Sequence, residues 1–283
     1  MNHKSAVRRS ALGVAAVALT LGGTALPADA ATAAAATFTT NERLAAHIVD
    51  EVAEGDAGSF RAFAPDYVDH AVPSLSGRKA LAASLRTQRV ASPKAATTIY
   101  RVVGENDLVF VHSNLRLRPG TRGLAVMDVF RFAGGRVVEH WGGRQDVPAT
   151  TVSGHDMFGV LSSPVRFGPD PAASAADTRA TLFGMFAAAT SGDLAALDRF
   201  IQPPCYQHNP TTADGIQALK DGFGPLLTNP DIRLTVVTTL AEGDLVVLHS
   251  TIGGPGVDLM TFDVFRVRNQ KIVEHWDVIQ PGA

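Results

Sequence analysis

One cysteine, Cys205, stands in 283 residues, so no disulfide can form within the chain and its stability has to come from burial. Charge of one sign is equally scarce: 25 Lys and Arg against 27 Asp and Glu leave a formal charge of −2. That balance supplies no basic surface for nucleic acid or for an anionic membrane. The apolar run Ala11 to Leu21 is only about a dozen residues, short of the ~20 that span a bilayer. Gly-rich phosphate loops, nucleophile elbows and Cys/His dyads are also missing, and no cofactor is expected. Cys205, beside Pro204, reads as a small buried apolar residue.

The chain opens on an address. Lys4, Arg8 and Arg9 precede the apolar run, and Pro27-Ala28-Asp29-Ala30 supplies the small-x-small pattern of a cleavage site. Residues 1–30 are therefore expected to be a signal peptide, which makes the protein secreted or extracytoplasmic. The route, general secretory or twin-arginine, stays open. Cleavage takes three of 25 basic and one of 27 acidic residues, leaving 22 and 26 and a formal charge of −4. No membrane partner is expected after cleavage. Residues 31–40, rich in Ala and Thr, are expected to be disordered.

Self-comparison carries the most information. His70 precedes Gly77 as His208 precedes Gly215. Glu105-Asn106-Asp107-Leu108-Val109 recurs as Glu242-Gly243-Asp244-Leu245-Val246, and His112-Ser113 as His249-Ser250. Asp128-Val129-Phe130-Arg131 recurs as Asp263-Val264-Phe265-Arg266, and Val138-Glu139-His140-Trp141 as Val273-Glu274-His275-Trp276. The offset drifts only from 138 to 135, so two domain-sized copies are expected, at 41–147 and 176–283. Between them, 148–175 carries Pro164, Pro169 and Pro171 without a sustained period, which suits a linker.

Each copy follows the same grammar. Leu44, Ile48, Val49 and Val52 recur at helical spacing behind Asn41 as candidate cap, and Asp177 is the candidate cap of the matching helix. Short second helices are expected at Asp56 to Phe63 and Asp193 to Phe200. An irregular stretch bearing the paired histidine follows, then a third helix after Gly77 or Gly215, then four β-rich runs. Helices followed by an antiparallel meander define an α+β fold and exclude a doubly wound parallel sheet.

Turn chemistry places the last two strands. Ala133-Gly134-Gly135 and Arg268-Asn269-Gln270 fit three-residue loops. Counting outward sets Asp263 opposite His275 and Thr261 opposite Asp277, although a two-residue turn would change the partners. One face then carries Thr261, Asp263, Phe265, His275 and Asp277. The other carries Phe262, Arg266, Glu274 and Trp276, as packing or interface residues and an ion pair. A carboxylate desolvated among apolar side chains can exchange a proton near neutral pH, and a histidine fixed by a facing aspartate can stabilise an enolate. Asp263–His275 also reads as a satisfied structural pair, and His208 as a cap of its own turn with Asn209 instead of a pocket residue. No ligand spacing supports a metal site built from the histidines and aspartates.

The His208-Asn209-Pro210, Asp263-Val264-Phe265-Arg266 and Lys271-to-Asp277 segments resemble the SnoaL-like family of the nuclear transport factor 2-like superfamily. The resemblance covers nearly all of both copies. It implies two tandem cone-shaped α+β barrels, each with three N-terminal helices and a curved, mainly antiparallel sheet around a conical pocket. Polyketide cyclases of this family use an aspartate on the last strand as general base, and Asp277 sits at the matching place. Asp263 occupies the place where those cyclases have a histidine.

These readings converge on an exported small-molecule enzyme using cofactor-free acid/base chemistry on a carbonyl-bearing, largely apolar substrate. The reaction would be an aldol-type cyclisation, isomerisation or dehydration. Asp277, His275 and Asp263 are the candidate catalytic residues. His208, Thr261, Phe265, His70, Asp128 and His140 are the candidate substrate-binding residues. The alternative is an exported binding protein that uses the same pocket without turnover. Val126 and Gly142 replace Thr261 and Asp277 in the first copy, so the two pockets are expected to be unequal. The duplicated aromatic outer face, Trp141 and Trp276, predicts an intramolecular pseudo-dimer.

Overall fold

The structure is a computed structural model that describes residues 40–52 and 59–282. The signal peptide expected at 1–30 lies outside the described residues. So does the stretch expected to be disordered, apart from Thr40, which opens the first helix. The first copy comprises α1 (residues 40–52), β1 (Phe63–Asp69), α2 (Arg78–Ala91), β2 (Ala96–Glu105), β3 (Leu108–Arg116), β4 (Leu124–Ala133) and β5 (Arg136–Asp146). The second repeats that order as α3 (Ala175–Thr190), β6 (Ile201–Gln207), α4 (Ile216–Thr228), β7 (Arg233–Glu242), β8 (Leu245–Gly254), β9 (Val257–Arg268) and β10 (Lys271–Pro281). Each copy forms its own five-stranded sheet, ordered β1-β5-β4-β3-β2 and β6-β10-β9-β8-β7. All neighbours are antiparallel except β1 with β5 and β6 with β10. This is the expected α+β architecture in two tandem copies.

Local chemistry explains the ends of the elements. Gly77 and Gly215 precede α2 and α4 at φ 84° and 99°, a conformation that costs a side-chain-bearing residue strain. The cap of α3 is Ser174, whose hydroxyl accepts from the Asp177 amide at 3.2 Å; Asp177, the expected cap, sits in the first turn, where a carboxylate favours the helix dipole. Asn41 likewise lies inside α1. The expected second helices are short 3-10 turns, Ser59–Ala62 and Leu194–Arg199. The stretch expected to be irregular is a strand in both copies: β1 and β6 lie parallel to the last strand, with a register shift in each pairing.

The hairpin register differs from the count made on sequence. Asn269 and Gln270 alone form the β9–β10 turn, at φ 51° and 58°, so Arg268 pairs with Lys271. A bulge between Ile272 and Glu274 then adds one more residue. The two changes shift the pairing by two positions: His275 faces Phe265, Asp277 faces Asp263, and Ile279 faces Thr261. An even shift keeps every side chain on its expected face.

The two sheets pack against each other through their outer faces. One buried apolar cluster joins Phe110, Met127 and Val129 of the first copy to Phe262, Val264 and Trp276 of the second. Four hydrogen bonds form two reciprocal pairs across this interface. Gly104 N donates to Glu242 at 2.8 Å as Ala241 N donates to Glu105 at 3.1 Å, and Arg144 N donates to Gln280 at 2.9 Å as Ile279 N donates to Gln145 at 3.0 Å. Equivalent residues exchanging equivalent bonds are the mark of an isologous two-fold contact, here within one chain. The expected intramolecular pseudo-dimer fits this packing.

The segment between the copies runs through the same interface. Met157 and Phe158 join the shared core, Phe158 stacks on Tyr100 at 4.6 Å, and Trp276 Nε1 donates to Gly159 O at 2.9 Å. Glu274 accepts from Leu161 N and Ser162 Oγ, both at 2.6 Å, and lies 3.9 Å from Arg266, so the expected ion pair is one part of a larger buried network.

Candidate active site

The inner face of the second sheet and helices α3 and α4 line a narrow cavity. Its wall is apolar (Met185, Phe186, Leu219, Phe223 and Phe265 among others) except at one place. There Ser250, Thr261, Asp263 and His275 come together, on β8, β9 and β10.

The alternation of strand side chains builds this polar end. Thr261, Asp263 and Phe265 point inward from β9, and His275 and Asp277 from β10. His275 Nε2 lies 3.1 Å from Asp263 Oδ1, and its Nδ1 lies 2.9 Å from Gln207 Oε1 on β6. An amide oxygen only accepts, so Nδ1 carries a hydrogen. Thr261 Oγ1 donates to Asp263 Oδ2 at 2.9 Å, which obliges Ser250 Oγ to donate to Thr261 at 2.8 Å. Asp277 Oδ2 accepts from Asn209 Nδ2 at 2.6 Å, while Asp277 Oδ1 is buried with no partner. Asp277 stands behind Asp263 and His275, which form the cavity wall.

Burial and charge set the proton affinities. Burial raises the Asp277 carboxyl, the His275 imidazole pulls it down, Asp263 raises it and the Asn209 bond lowers it, with a net value of about 6. Burial lowers His275, but the hydrogen bond to Asp263 and the charges of Asp277 and Asp263 outweigh it, and the net direction is up. Asp263, His275 and Asp277 place ligand-type atoms within 4.8 Å of one another. Coordinating a cation there would break one of the two bonds His275 already makes, because both of its nitrogens are engaged.

Of the residues expected at the site, Asp263, His275, Thr261 and Phe265 line the cavity and Asp277 adjoins it. His208 does not. Gln207, the last residue of β6, takes the inward position, so alternation turns His208 outward. It stacks on Trp276 at 5.0 Å and meets Glu274 Oε1 at 3.0 Å in the domain interface. His70 follows the same rule: Asp69 points inward, and His70 stacks on Trp141 at 4.6 Å and meets Glu139 at 2.9 Å. Gln207, Asn209 and Ser250 were missed as site residues. The alternation of Tyr206-Gln207-His208 and the recurrence of Ser113 as Ser250 were the signals for two of them.

The first copy arranges its inner face differently. His140 Nε2 lies 2.9 Å from Asp128, matching the second copy, but its Nδ1 lies 3.3 Å from a second carboxylate, Asp69. Tyr67 donates its hydroxyl to Asp69 at 2.5 Å and fills the space where the second copy has Cys205. Gly142 stands at the position of Asp277, and a Cβ there would lie 2.8 Å from Asp128 Oδ1, so a side chain would require the Asp128–His140 pair to shift.

Comparison with known proteins agrees with this architecture. The SnoaL-like domain model matches residues 45–140 and 183–275. Similar solved structures include an NTF2-like protein of unknown function from Mesorhizobium loti, with 20% identity, 39% of this chain and 97% of that chain covered, and a TM-score of 0.35. TsrD from Streptomyces laurentii is 22% identical over 38% of this chain and 90% of its own, with a TM-score of 0.33. A steroid delta-isomerase from Pseudomonas aeruginosa is 21% identical over 40% and 85%, with a TM-score of 0.33. No curated protein matches the chain. With the family model covering more than half of its residues, the chain belongs to the SnoaL-like domain family and carries two tandem copies of that domain.

Proposed function

We propose that the second copy is an acid/base enzyme that moves a proton beside the carbonyl of a largely apolar small molecule. The observation that carries this reading is Asp277 Oδ1: a buried carboxylate oxygen without a partner, grouped with Asp263 and His275 at the only polar end described in an apolar cavity. Every other carboxylate oxygen of the group already accepts a hydrogen bond, so Asp277 is the one free to take a proton. His275, held between Asp263 and Gln207, contributes positive charge beside the oxygen on which negative charge develops. The polar end of the substrate must reach past Asp263 to Asp277, one cross-strand step of about 4.5–5.5 Å. Two convergent ionisable groups with shifted proton affinity favour turnover over binding alone.

The test is hydrogen–deuterium exchange at the α-carbon of an apolar bicyclic ketone such as beta-tetralone. Catalysed exchange that Asp277→Asn abolishes supports the enzyme. Saturable ketone binding without exchange supports the binding protein.

Export from the cell belongs to the same proposal. N-terminal sequencing of secreted protein should find Ala31 first, and material that still began at Met1 would sink it.

A further inference from the structure

The two copies differ inside their inner faces in a correlated way. Where the second has Gln207, Asn209 and Asp277, the first has Asp69, Ala71 and Gly142. The amide donor and the carboxylate that receives it are present together in one copy and absent together in the other. We propose that Gln207 and Asn209 are positioning residues of the second copy's site: Gln207 restricts His275 to a single carboxylate partner, and Asn209 turns Asp277 so that one of its oxygens stays free. This rests on the reading of that site as the reactive one.

The geometry of Asn209 supports its part. Its Oδ1 is held by Thr211 N and Thr211 Oγ1, both at 2.7 Å, which fixes the amide plane and obliges Nδ2 to face Asp277. The residue is 4% exposed, so water does not compete for the bond. With Oδ2 occupied at 2.6 Å, Oδ1 alone is available to a substrate.

The charge on residue 207 decides what the histidine can do. An uncharged amide oxygen accepts the Nδ1 hydrogen whether or not the ring is protonated, so the proton that comes and goes is the one on Nε2, facing Asp263. The other groups around His275 are Asp277, from its own strand, and the rings of Phe223 and Phe265. In the first copy His140 meets Asp128 and Asp69 at its two nitrogens and the ring of Phe130 on one face. Each nitrogen faces an aspartate, Asp69 also accepting from Tyr67 and from the amides of Ala71 and Val72, and the two carboxylates together favour the protonated ring. Burial opposes that charge, but the two aspartates outweigh it and hold His140 at about 9. The residue at this position thus sets whether the histidine is bonded to one carboxylate or to two.

Histidine side-chain NMR titration of the full chain tests this without any substrate. Gln207→Asp should move the His275 midpoint upward toward the value of His140. The reciprocal Asp69→Gln should lower the His140 midpoint by about one pH unit or more. The second variant decides the matter if the first does not fold. Asn209→Ala should shift the acid limb of beta-tetralone exchange to higher pH, because Asp277 loses a bond that favours its charged form. Unmoved His275 and His140 midpoints in the two variants would overturn the role of Gln207. An unmoved acid limb would overturn that of Asn209. If the wild-type chain exchanges no ketone, the proposed reaction fails while the histidine titrations still decide the assignment of Gln207.

Discussion

Asp277 stands directly across the β9–β10 ladder from Asp263, and Gly142 takes the same place across from Asp128 in the first copy. The difference concentrates the free carboxylate in one of two otherwise matching hairpins. Asp277→Asn should lower ketone exchange by about 10²–10⁴-fold, the usual contribution of a positioned base. Asp128→Asn should leave exchange intact. The opposite ranking in a rate comparison of the two variants would move the activity to the first copy.

The same carboxyl fixes two pH dependences of opposite sign. Proton abstraction needs Asp277 ionised, so exchange should rise with pH through about 6. Its folded-state pKa lies above the ordinary 3.8, so its contribution to stability is full below that value and is lost as pH rises through about 6. Asp277→Asn should therefore be at least as stable as the wild type at neutral pH. Paired denaturant curves at pH 5 and pH 8 would show it, and a variant markedly less stable at pH 8 would contradict it.

His140 behaves as a structural cation. Burial lowers its pKa, the bonds to Asp128 and Asp69 raise it further, and the net is about 9 against an ordinary 6.5. The stability it contributes is complete below 6.5 and is lost as pH rises through about 9, on the order of 3 kcal/mol. Urea unfolding between pH 6 and pH 10 should register this loss, and Asp69→Asn should flatten it.

At Gly143 the first sheet lies directly against the second. A Cβ there would lie 2.9 Å from the ring of Phe262, which is fully buried and stacked on His249 at 4.1 Å. With no room for the ring to retreat, Gly143→Val should cost about 1–3 kcal/mol in equilibrium unfolding. A neutral result would mean that the sheets are more loosely joined.

One edge of the interface pairs Arg179 with Glu105, and the equivalent edge pairs Glu42 with Glu242. Burial and the facing Glu242 carboxylate lift Glu42 to about 7, against the nearby charge of Arg43. Because the folded-state value is raised, this edge should weaken as pH rises through about 7. Glu42→Arg, which copies the other edge, should remove that dependence. Melting curves at pH 6 and pH 8 compare the two chains directly.

Repetition made the fold readable. Paired glycines at 77 and 215 and paired Glu-His-Trp segments located the same elements twice, and strand alternation put Asp263, His275 and Asp277 on one face. The register was read two places off because the turn has two residues instead of three and a bulge follows it; Gly134-Gly135 carried the signal of the short turn, while the bulge leaves no mark in composition. The parallel strands β1 and β6 were hidden for a related reason. Pro65, Pro203 and Pro204 interrupt them, and an edge strand tolerates prolines that a central one would not. With those strands unread, the inward residues Asp69 and Gln207 could not be told from their outward neighbours His70 and His208.

Only one connecting segment exists for two pseudo-equivalent faces, and it lies against the second copy's Trp276 and Glu274. Trp276 and Glu274 are fully buried, whereas Trp141 is only partly buried and the Glu139 side chain is 32% exposed. A homodimer suffers every substitution twice, once in each subunit, and must stay complementary to its own copy. Joining the halves removes that constraint: each side can change alone, and dilution cannot separate them. One half can thus become scaffold while its twin keeps an open cavity.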